Sequence, residues 1–503
     1  MKFIDYLKNK CTVKNVCIFG VGFVVLTLFA VCFSKGIQGN DFWWHVKVGE
    51  WICNNMKIPT EDIFSWYGIE QSLDWTAHEW LSDVVYYLLL HYTGSLGVYL
   101  FSVGAALVML ALLWNEARKY VVKNPVFSCV FFFALPFILH TFFYGRPHVF
   151  SFFLLFFELK CLYKFIEIPN SKVIYFIPLI SCLWSNFHGG SSNLSYLLCI
   201  LFLVSGLVPG NIGRLAAVRL DKKSLLKLLG VTVASVLAIF VNPIGLEVFV
   251  YPYVSMGDSL MLSVISEWRS PDAKELGELI LYFLPIFVMS VGLLTEKKEI
   301  RIVDALVFLV FLFLFFRSVR FIMLWYIAAV FYAFRYMPEF KFKRIKNSYK
   351  VIASILVVLL LINPFVNSFS KIYNAYTENS LITEVLNREM IEFVKEDAPE
   401  RLYNDYNYGE ALIYNDIKVF YDARADLYAS DHILANGVSL MNLKQMNSDA
   451  ETSCVDVEGL IEQYEFDAVL IGKTRPLYSY LISHSDKYVC LYEDDISAYF
   501  RVG

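Results

Sequence analysis

Long apolar runs separated by short polar loops follow one another through the first 367 residues of the chain. A helix that crosses a membrane needs about 20 mostly apolar residues. The pattern therefore predicts about eleven membrane spans, two of which, 173–187 and 302–316, are short. The predicted spans are 16–34, 96–114, 125–144, 148–166, 173–187, 191–209, 226–242, 276–295, 302–316, 319–334 and 350–367.

The basic residues between these runs predict the orientation of the chain. Alternate loops, beginning with residues 1–15, hold about three times as many Lys and Arg residues as the loops between them, up to residue 367. Positive residues collect on the cytoplasmic side of a membrane. We therefore expect a multi-pass protein of the cell membrane with a cytoplasmic N-terminus and an extracytoplasmic segment after residue 367.

Composition changes this picture mainly by excluding other classes of protein. Hydrophobic residues make up 57% of the chain and charged residues 18%, whereas a soluble domain has about 25% charged residues. The 44 Phe and 32 Tyr residues are far too many for a disordered chain. A formal net charge of −4 gives no basic surface for nucleic acid.

The first outer loop, residues 35–95, is long and combines aromatic with charged side chains. Asn40 or Asp41 can cap a helix that begins at Phe42, and His45 lies four residues after Asp41, on the same face of that helix. The three tryptophans of DFWWHVKVGEW suit a helix that lies in the membrane interface. A second amphipathic helix is predicted to start near the His78–Glu79 pair.

The other unusual polar residues near the membrane also fall on the predicted outer side. Ionisable residues at membrane depth are costly and usually functional, and arginines bind phosphate through forked hydrogen bonds. A carboxylate on a positioned loop can take a proton from a hydroxyl group. The candidate binding residues are His78, Glu79, Arg146, His148, His188, Glu267, Arg269, Arg317 and Arg320.

Each candidate also has a purely structural explanation, which the sequence leaves open. Asp41 can serve only as a helix cap, and His45 can be a surface residue of an interfacial helix. The arginines can anchor the outer interface or extend toward the headgroups. His188, beside two glycines, can complete a broken helix end.

Residues 368–503 read as a small α/β domain that follows a transmembrane domain over residues 1–367. Helical spacing occurs at 380–396 and 455–465, and ALIY, KVFYDAR, DAVLIGK and SAYFRVG read as short strands. Asp422, Arg424 and Asp426 could contact an acceptor, but an ion pair at a sheet edge is the preferred interpretation.

Taken in order, several motifs of the chain resemble those of the GT-C superfamily, and more narrowly those of uncharacterised bacterial members. These superfamily members are polytopic glycosyltransferases that use polyprenyl-phosphate-linked sugars. The motifs are DFWWHVKVGEWI, IPTEDIFSW, AHEWL, RPHVFSF, NFHGG, NPIG, EWRSP and RSVRF, followed by YNDYNYGEALIY and VFYDARADLY.

The resemblance implies a GT-C-like fold and a glycosyltransferase of the bacterial cell envelope. The family's catalytic acid falls on Asp41, with His45 beside it, and some of Arg146, Arg269, Arg317 and Arg320 would meet the donor phosphate. The expected partners are a polyprenyl-phosphate-linked sugar, the lipid bilayer and a glycan, lipid or protein acceptor. The resemblance does not specify a cofactor. The sequence leaves open whether a divalent metal ion binds, although Asn40 stands where many relatives have a second acid.

Two other functions are compatible with the sequence. A polymerase or ligase of lipid-linked glycans also carries outer arginines, but it would use a lipid-pyrophosphate donor and lack an acid in the first loop. A transporter would place its ionisable groups near the membrane midplane and often shows internal repeats, which this sequence lacks. A non-catalytic scaffold with the same fold is the third alternative.

Overall fold

A computed structural model describes residues 41–121, 123, 125–255, 265–296, 298–337, 385–429, 432–446 and 455–503. The chain divides into two compact units. The helical unit contains the described residues of 96–242 and 267–337. The mixed unit, which has both helices and a sheet, contains those of 41–95, 243–266 and 385–503.

The helical unit consists of apolar helices joined by short turns. The nine predicted spans between residues 96 and 334 all fall on helices, because hydrophobic run length is a local property of the sequence. The helices are the second part of Trp80–Val121, then Pro125–Phe142, His148–Glu167, Ile177–Phe187, Asn193–Leu207, Lys222–Ile239, Leu284–Thr295, Ile302–Arg317 and Ile322–Tyr336.

Within the described residues, four helical segments are long and apolar enough to cross a membrane, and they identify the chain as a membrane protein. They are Trp80–Val121, Gly189–Leu207, Leu276–Thr295 and Val319–Tyr336. Two shorter apolar helices are Phe127–Phe142 and Lys172–Phe187. Because the predicted spans 16–34 and 350–367 lie outside the described residues, the number of eleven spans and their orientation stay predictions.

The core of the helical unit is built around the Ile322–Tyr336 helix, almost all of which is buried. Phe334 lies against Phe127 and Phe131, with ring centroids 4.5 and 5.2 Å apart. A helix that is apolar all round belongs inside a bundle. A short parallel strand pair, β1 (Leu215–Ala216) and β2 (Ile300–Arg301), links two of the loops of this unit.

The helix Trp80–Val121 bends at Gly94, whose backbone has φ 63° and ψ −169°. A positive φ is readily adopted only by glycine. The bend separates the amphipathic start of the helix, which the sequence predicts near Glu79, from the apolar stretch that it predicts at 96–114. The chain passes from the mixed unit to the helical unit just after this bend.

The mixed unit contains a four-stranded sheet with the order β3–β4–β6–β5. The strands are β3 (Leu402–Asn404), β4 (Ala468–Gly472), β5 (Tyr488–Glu493) and β6 (Ser497–Val502). Strand β3 pairs with β4 in parallel, while β4–β6 and β6–β5 are antiparallel. The helices of the unit are Phe42–Asn55, Trp66–Gln71, the start of Trp80–Val121, Leu246–Ser255, Arg388–Asp397, Gly409–Tyr414, Ala425–Ala429, Ile433–Asn442, Val457–Tyr464 and Pro476–Ser483.

Two of the four predicted strands are wrong. DAVLIGK and SAYFRVG form β4 and β6, but ALIY lies in the helix Gly409–Tyr414, because so short an apolar run fits either structure. KVFYDAR is not part of the sheet. It makes one isolated parallel bridge, from Val419 to Ser65 of the first outer loop.

The described part of the first outer loop packs with the C-terminal residues rather than standing apart. The indole nitrogen of Trp66 donates a hydrogen bond to the carbonyl of Leu402 at 3.0 Å. Trp66 also lies 5.6 Å from Phe420 between ring centroids. The predicted domain boundary at residue 367 lies outside the described residues and stays a prediction.

Two of the tryptophans that suggested an interfacial helix are buried in the protein, and the position of this helix relative to the membrane stays a prediction. In the helix Phe42–Asn55, both Trp43 and Trp44 are buried inside the mixed unit. Trp43 lies against Tyr414, with ring centroids 4.5 Å apart, and Trp44 lies 6.1 Å from Trp75. These tryptophans therefore form part of a protein core.

Candidate active site

Asp41 stands at the start of the helix Phe42–Asn55, but its side chain makes no capping hydrogen bond. A capping residue normally has an extended backbone, from which its side chain reaches the free N–H groups of the first turn. Asp41 instead has helical dihedral angles, φ −56° and ψ −24°. The structure therefore does not support the explanation of Asp41 as a side-chain helix cap.

His45, one turn after Asp41, is only 2% exposed, so a surface histidine is also the wrong interpretation. Its Nδ1 lies 2.6 Å from Oδ1 of Asp83, and its Nε2 lies 3.8 Å from the carboxylate of Glu79. A carboxylate that accepts a hydrogen bond from one ring nitrogen fixes the orientation of an imidazole. His45 therefore holds its helix against the start of the Trp80–Val121 helix.

His78 extends this row of charged groups. Its Nε2 lies 3.8 Å from the other carboxylate oxygen of Glu79, and its ring stacks on Tyr251 at 3.8 Å. Asp41, His45, His78 and Glu79 thus all belong to the mixed unit. Asp83 was not predicted, although a carboxylate one turn after Glu79 in an apolar helix was a usable signal.

A second unpredicted carboxylate, Glu410, lies buried in the helix Gly409–Tyr414. Its Oε1 accepts a hydrogen bond from the backbone N–H of Ala423 at 2.7 Å. Burial and the carboxylates of Asp41 and Asp422 raise the pKa of Glu410 to about 8. Burial and the carboxylates of Glu410 and Asp41 also raise the pKa of the Tyr406 hydroxyl. The charge of Asp41 therefore acts on polar side chains of the C-terminal residues.

Arg424 forms the buried ion pairs of this region. Its guanidinium donates to Asp422 at 2.7 Å and to Asp62 at 2.8 Å, and both carboxylates are fully buried. The sequence predicts an ion pair of this kind at a sheet edge. The pair is instead in the interior, and its second carboxylate comes from the IPTEDIFSW motif of the first outer loop.

In the helical unit, four predicted residues come together: Arg146, His148, Glu267 and Arg320. The Nη1 atom of Arg146 donates to both carboxylate oxygens of Glu267, at 3.0 and 2.9 Å. The Tyr144 hydroxyl donates to the same carboxylate at 3.2 Å. Although burial opposes it, the positive charges of Arg146 and Arg320 lower the pKa of Glu267 to about 2.

The two loops that carry this cluster are joined by backbone contacts. The Ser318 hydroxyl donates to the carbonyl of Glu267 at 2.9 Å, and the Val319 N–H donates to the carbonyl of Arg269 at 3.0 Å. The motifs EWRSP and RSVRF therefore lie side by side, and Arg320 follows directly from this junction. A rigid junction of this kind keeps charged groups in a fixed arrangement.

The remaining predicted residues of the helical unit have other surroundings. Arg269 is exposed and pairs with Glu278, and Arg317 is exposed at the end of its helix. His188 is buried, and its Nδ1 lies 2.6 Å from the Ser151 hydroxyl and 2.9 Å from that of Ser191. These contacts favour the structural interpretation of His188, at the end of the helix Ile177–Phe187.

The described residues offer little support for a bound metal ion. Among them, no group of three His, Cys, Asp or Glu side chains is arranged to hold one. A hard cation such as Ca²⁺ takes six to eight oxygen ligands, and Mg²⁺ requires a near-octahedral set. We therefore derive no catalytic step through a metal ion.

Comparison with known proteins identifies the fold. No protein-family model and no curated protein matches the chain. Its structure is similar to that of the archaeal oligosaccharyltransferase AglB from Archaeoglobus fulgidus, in complex with an inhibitory peptide and a dolichol-phosphate. The TM-score is 0.51 at 11% sequence identity, and the match covers 90% of this chain and 69% of AglB.

A second solved structure, the apo form of the Archaeoglobus fulgidus oligosaccharyltransferase, has the same identity and coverage with a TM-score of 0.48. At 11% identity, the likeness to AglB establishes similarity of fold alone. It supports the GT-C-like fold that the motifs predict.

Proposed function

We propose that this protein is a membrane glycosyltransferase that moves a sugar from a polyprenyl-phosphate donor to an acceptor hydroxyl group on the outer face of the membrane. In this proposal Arg146 and Arg320 bind the donor phosphate, with His148 beside them. Asp41 is the general base. The acceptor is a glycan, a lipid or a protein.

The observation that carries the proposal is the likeness of fold to AglB over 90% of the chain. The AglB structure contains dolichol-phosphate, which is a polyprenyl phosphate of the kind that a lipid-linked sugar leaves behind. Fold alone does not fix a function. The chemistry of the two residue groups is therefore needed as a second line of support for a glycosyltransferase.

The arrangement around Arg146 suits an oxyanion. Its guanidinium already binds both oxygens of the Glu267 carboxylate, and a phosphate offers a guanidinium the same forked acceptor geometry. Arg320 makes no ion pair within 4.0 Å of another described residue, although its charge acts on Glu267 and His148. Its charge is thus available to a donor phosphate.

The proposed reaction is a single displacement. The acceptor oxygen attacks C1 of the sugar from the side opposite the phosphate, and the C1–O bond to the phosphate breaks with its electron pair. The acceptor proton passes to the Asp41 carboxylate, and polyprenyl phosphate leaves as the anion. The configuration at C1 is therefore inverted, and no oxidant, reductant or nucleotide takes part.

His45 supports this reaction indirectly in the proposal. It is buried and bound to Asp83 and Glu79, so it is suited to holding Asp41 in position through their shared helix turn. His78 and Glu79 complete the row of contacts. Arg269 and Arg317, which are exposed, are the arginines with the least support for a role at the phosphate.

The test is to purify the full-length protein with its native lipids and to identify co-purifying polyprenyl-linked sugars by mass spectrometry. The captured donor is then incubated with candidate acceptors in liposomes. We expect release of polyprenyl phosphate and one glycosylated acceptor per phosphate released. Consumption of a lipid-pyrophosphate donor alone would favour a polymerase or ligase. Sugar movement across the liposome membrane without bond cleavage would favour a transporter.

A further inference from the structure

Glu410 is a buried acid whose surroundings do not suit a negative charge. It is 1% exposed, and Oε1 accepts the Ala423 N–H while Oε2 has no hydrogen-bond partner among the described residues. No Lys, Arg or His of the described part of the chain lies within 4.0 Å of it. A buried carboxylate without such partners is strongly disfavoured relative to the neutral acid.

The packing of two helices explains why Asp41 acts on Glu410. Trp43 lies against Tyr414, and Nζ of Lys47 lies 2.6 Å from Oδ1 of Asp416. From Trp43 to Lys47 and from Tyr414 to Asp416, which follows the helix Gly409–Tyr414, the two contacts run in the same chain direction, so the two helices are parallel here. Asp41 and Glu410, which begin these helices, therefore lie at the same end of the pair.

The other charged groups around Glu410 do not neutralise it. Asp422 adds negative charge, and its close approach requires a glycine at position 409, because a Cβ there would lie 2.7 Å from that of Asp422. Arg424 already binds two carboxylates, those of Asp422 and Asp62.

Two further groups complete the surroundings. Lys47 is paired with Asp416 and Glu50. Tyr406 faces the same carboxylates and is itself kept neutral, because burial and these charges raise its pKa.

We propose that Asp41 and Glu410 share one proton near neutral pH, with the proton on the buried Glu410 and the negative charge on the half-buried Asp41. Two carboxyl groups within electrostatic reach do not both ionise readily, and the more buried one keeps the proton. The raised pKa of Glu410, about 8, agrees with this arrangement. Glu410 is then a positioning residue that keeps Asp41 ionised.

A role of the shared proton in catalysis depends on the proposed function. The presence of the shared proton does not depend on that function. Glu410 is neutral in the folded protein up to about pH 8, whereas in the unfolded chain it ionises near pH 4.5. A group whose folded pKa is raised makes the folded state lose stability as the pH rises between these two values. Folding stability thus reports the proton without any sugar transfer.

The experiment measures thermal unfolding of the purified full-length protein between about pH 5 and pH 9. The variants are Glu410→Gln, Asp41→Asn and the control Asp416→Asn, which changes an exposed carboxylate on the adjoining loop. Asn suits position 416 because the backbone there has a φ of 61°. Wild type and Asp416→Asn should lose stability until about pH 8 and then level off.

Glu410→Gln should show a smaller decline than the wild type, and Asp41→Asn should level off at a lower pH, because removing the neighbouring charge lowers the pKa of Glu410. An unchanged decline in Glu410→Gln, or an unchanged levelling pH in Asp41→Asn, would overturn the shared proton. If transfer activity is also measured, the rate profile of the wild type should change near pH 8 and that of Glu410→Gln should not.

Should Glu410→Gln fail to fold, infrared titration of the wild type and Asp41→Asn replaces it. The wild type should show a protonated carboxyl band at pH 7 with a component that disappears near pH 8, and in Asp41→Asn this component should disappear at a lower pH. Absence of the band in the wild type at pH 7 would contradict the proposal. A protein that transfers no sugar but shows the band would refute only the proposed function.

Discussion

The guanidinium of Arg424 lies 2.8 Å from the carboxylate of Asp62, although 362 positions separate the two residues in the chain. Trp75 covers the guanidinium at 4.8 Å from its ring centre. Burial opposes the charge, but Asp422 and Asp62 raise the pKa of Arg424. This contact ties the first outer loop to the C-terminal residues inside the mixed unit.

Removing the Asp62 carboxylate leaves Arg424 paired with Asp422 but takes away a buried hydrogen-bond acceptor, and a buried donor left without its partner typically costs about 1–3 kcal/mol. We therefore expect Asp62→Ala to lower the unfolding temperature of the purified protein strongly and to expose the C-terminal residues to protease. Asp426→Asn, two residues from Arg424 and half-exposed, is the control and should change stability by less than about 0.5 kcal/mol. Equal effects of the two variants would show that the buried pair does not stabilise the unit.

The ion pair between Arg146 and Glu267 makes the folding stability of the protein depend on pH in acidic solution. The pKa of Glu267 is lowered to about 2 in the folded protein, from about 4.5 in the unfolded chain. The ionised carboxylate of Glu267 therefore stabilises the folded state fully above about pH 4.5, and this stabilisation is lost as the pH falls toward 2. Between these values, wild type should lose more stability than Glu267→Gln in thermal unfolding. Glu275→Gln, an exposed neighbour, should follow the wild type, and parallel curves for wild type and Glu267→Gln would contradict the lowered pKa.

Arg320 should affect the donor more than the acceptor. In the proposed function its partner is the donor phosphate, so Arg320→Ala should raise the donor KM about tenfold or more, as expected when a charge-assisted contact worth about 1.5–3 kcal/mol is lost. The acceptor KM should change little. Lys274→Ala, which removes an exposed positive charge, is the control. An unchanged donor KM together with lower stability would make Arg320 an interface anchor.

The features predicted correctly from the sequence are those that depend on nearby residues. The apolar runs of the helical unit, the helix that begins at Phe42 and the strand β4 all follow from local hydrophobic patterns. The helix start near Glu79 was also predicted, although Asp83, one turn later, was not. The local pattern of hydrophobic residues indicates where a segment is helical. It does not indicate which other segments pack against that helix.

The errors arise where distant segments meet. Asp41 looked like a helix cap and Trp43 like an interfacial residue, because the C-terminal helix that covers Trp43 begins more than 350 residues later. Glu410 was overlooked for the same reason: only its burial, and the neighbouring Asp41, distinguish it from an ordinary acid. The grouping of Arg146 with Glu267 likewise depends on tertiary packing.

The predicted orientation can be tested by labelling single cysteines in intact cells. We expect a reagent that cannot cross membranes to label Cys placed at Lys57 or Lys473, which fall on the predicted outer side. It should not label Cys at Lys222 unless the cells are first opened. Lys57 and Lys222 are both exposed, so accessibility within the protein does not separate them. Labelling at position 222 in intact cells would reverse the orientation.

The central claim is that Asp41 is the base of a glycosyl transfer, and Asp41→Asn tests it most directly. Because Asp41 makes no capping hydrogen bond and Asn keeps the shape of the side chain, the variant should stay folded, with a loss at the helix end of typically about 0.3–1 kcal/mol. Loss of a general base typically costs about 10²–10⁴-fold in rate.

The measurement is the initial rate of sugar transfer by Asp41→Asn and by wild type, at equal amounts of folded, donor-bound protein. If Asp41 is the base, the variant rate should be at least about a hundredfold lower, with donor binding retained. A variant rate within about threefold of wild type would show that Asp41 is not the base.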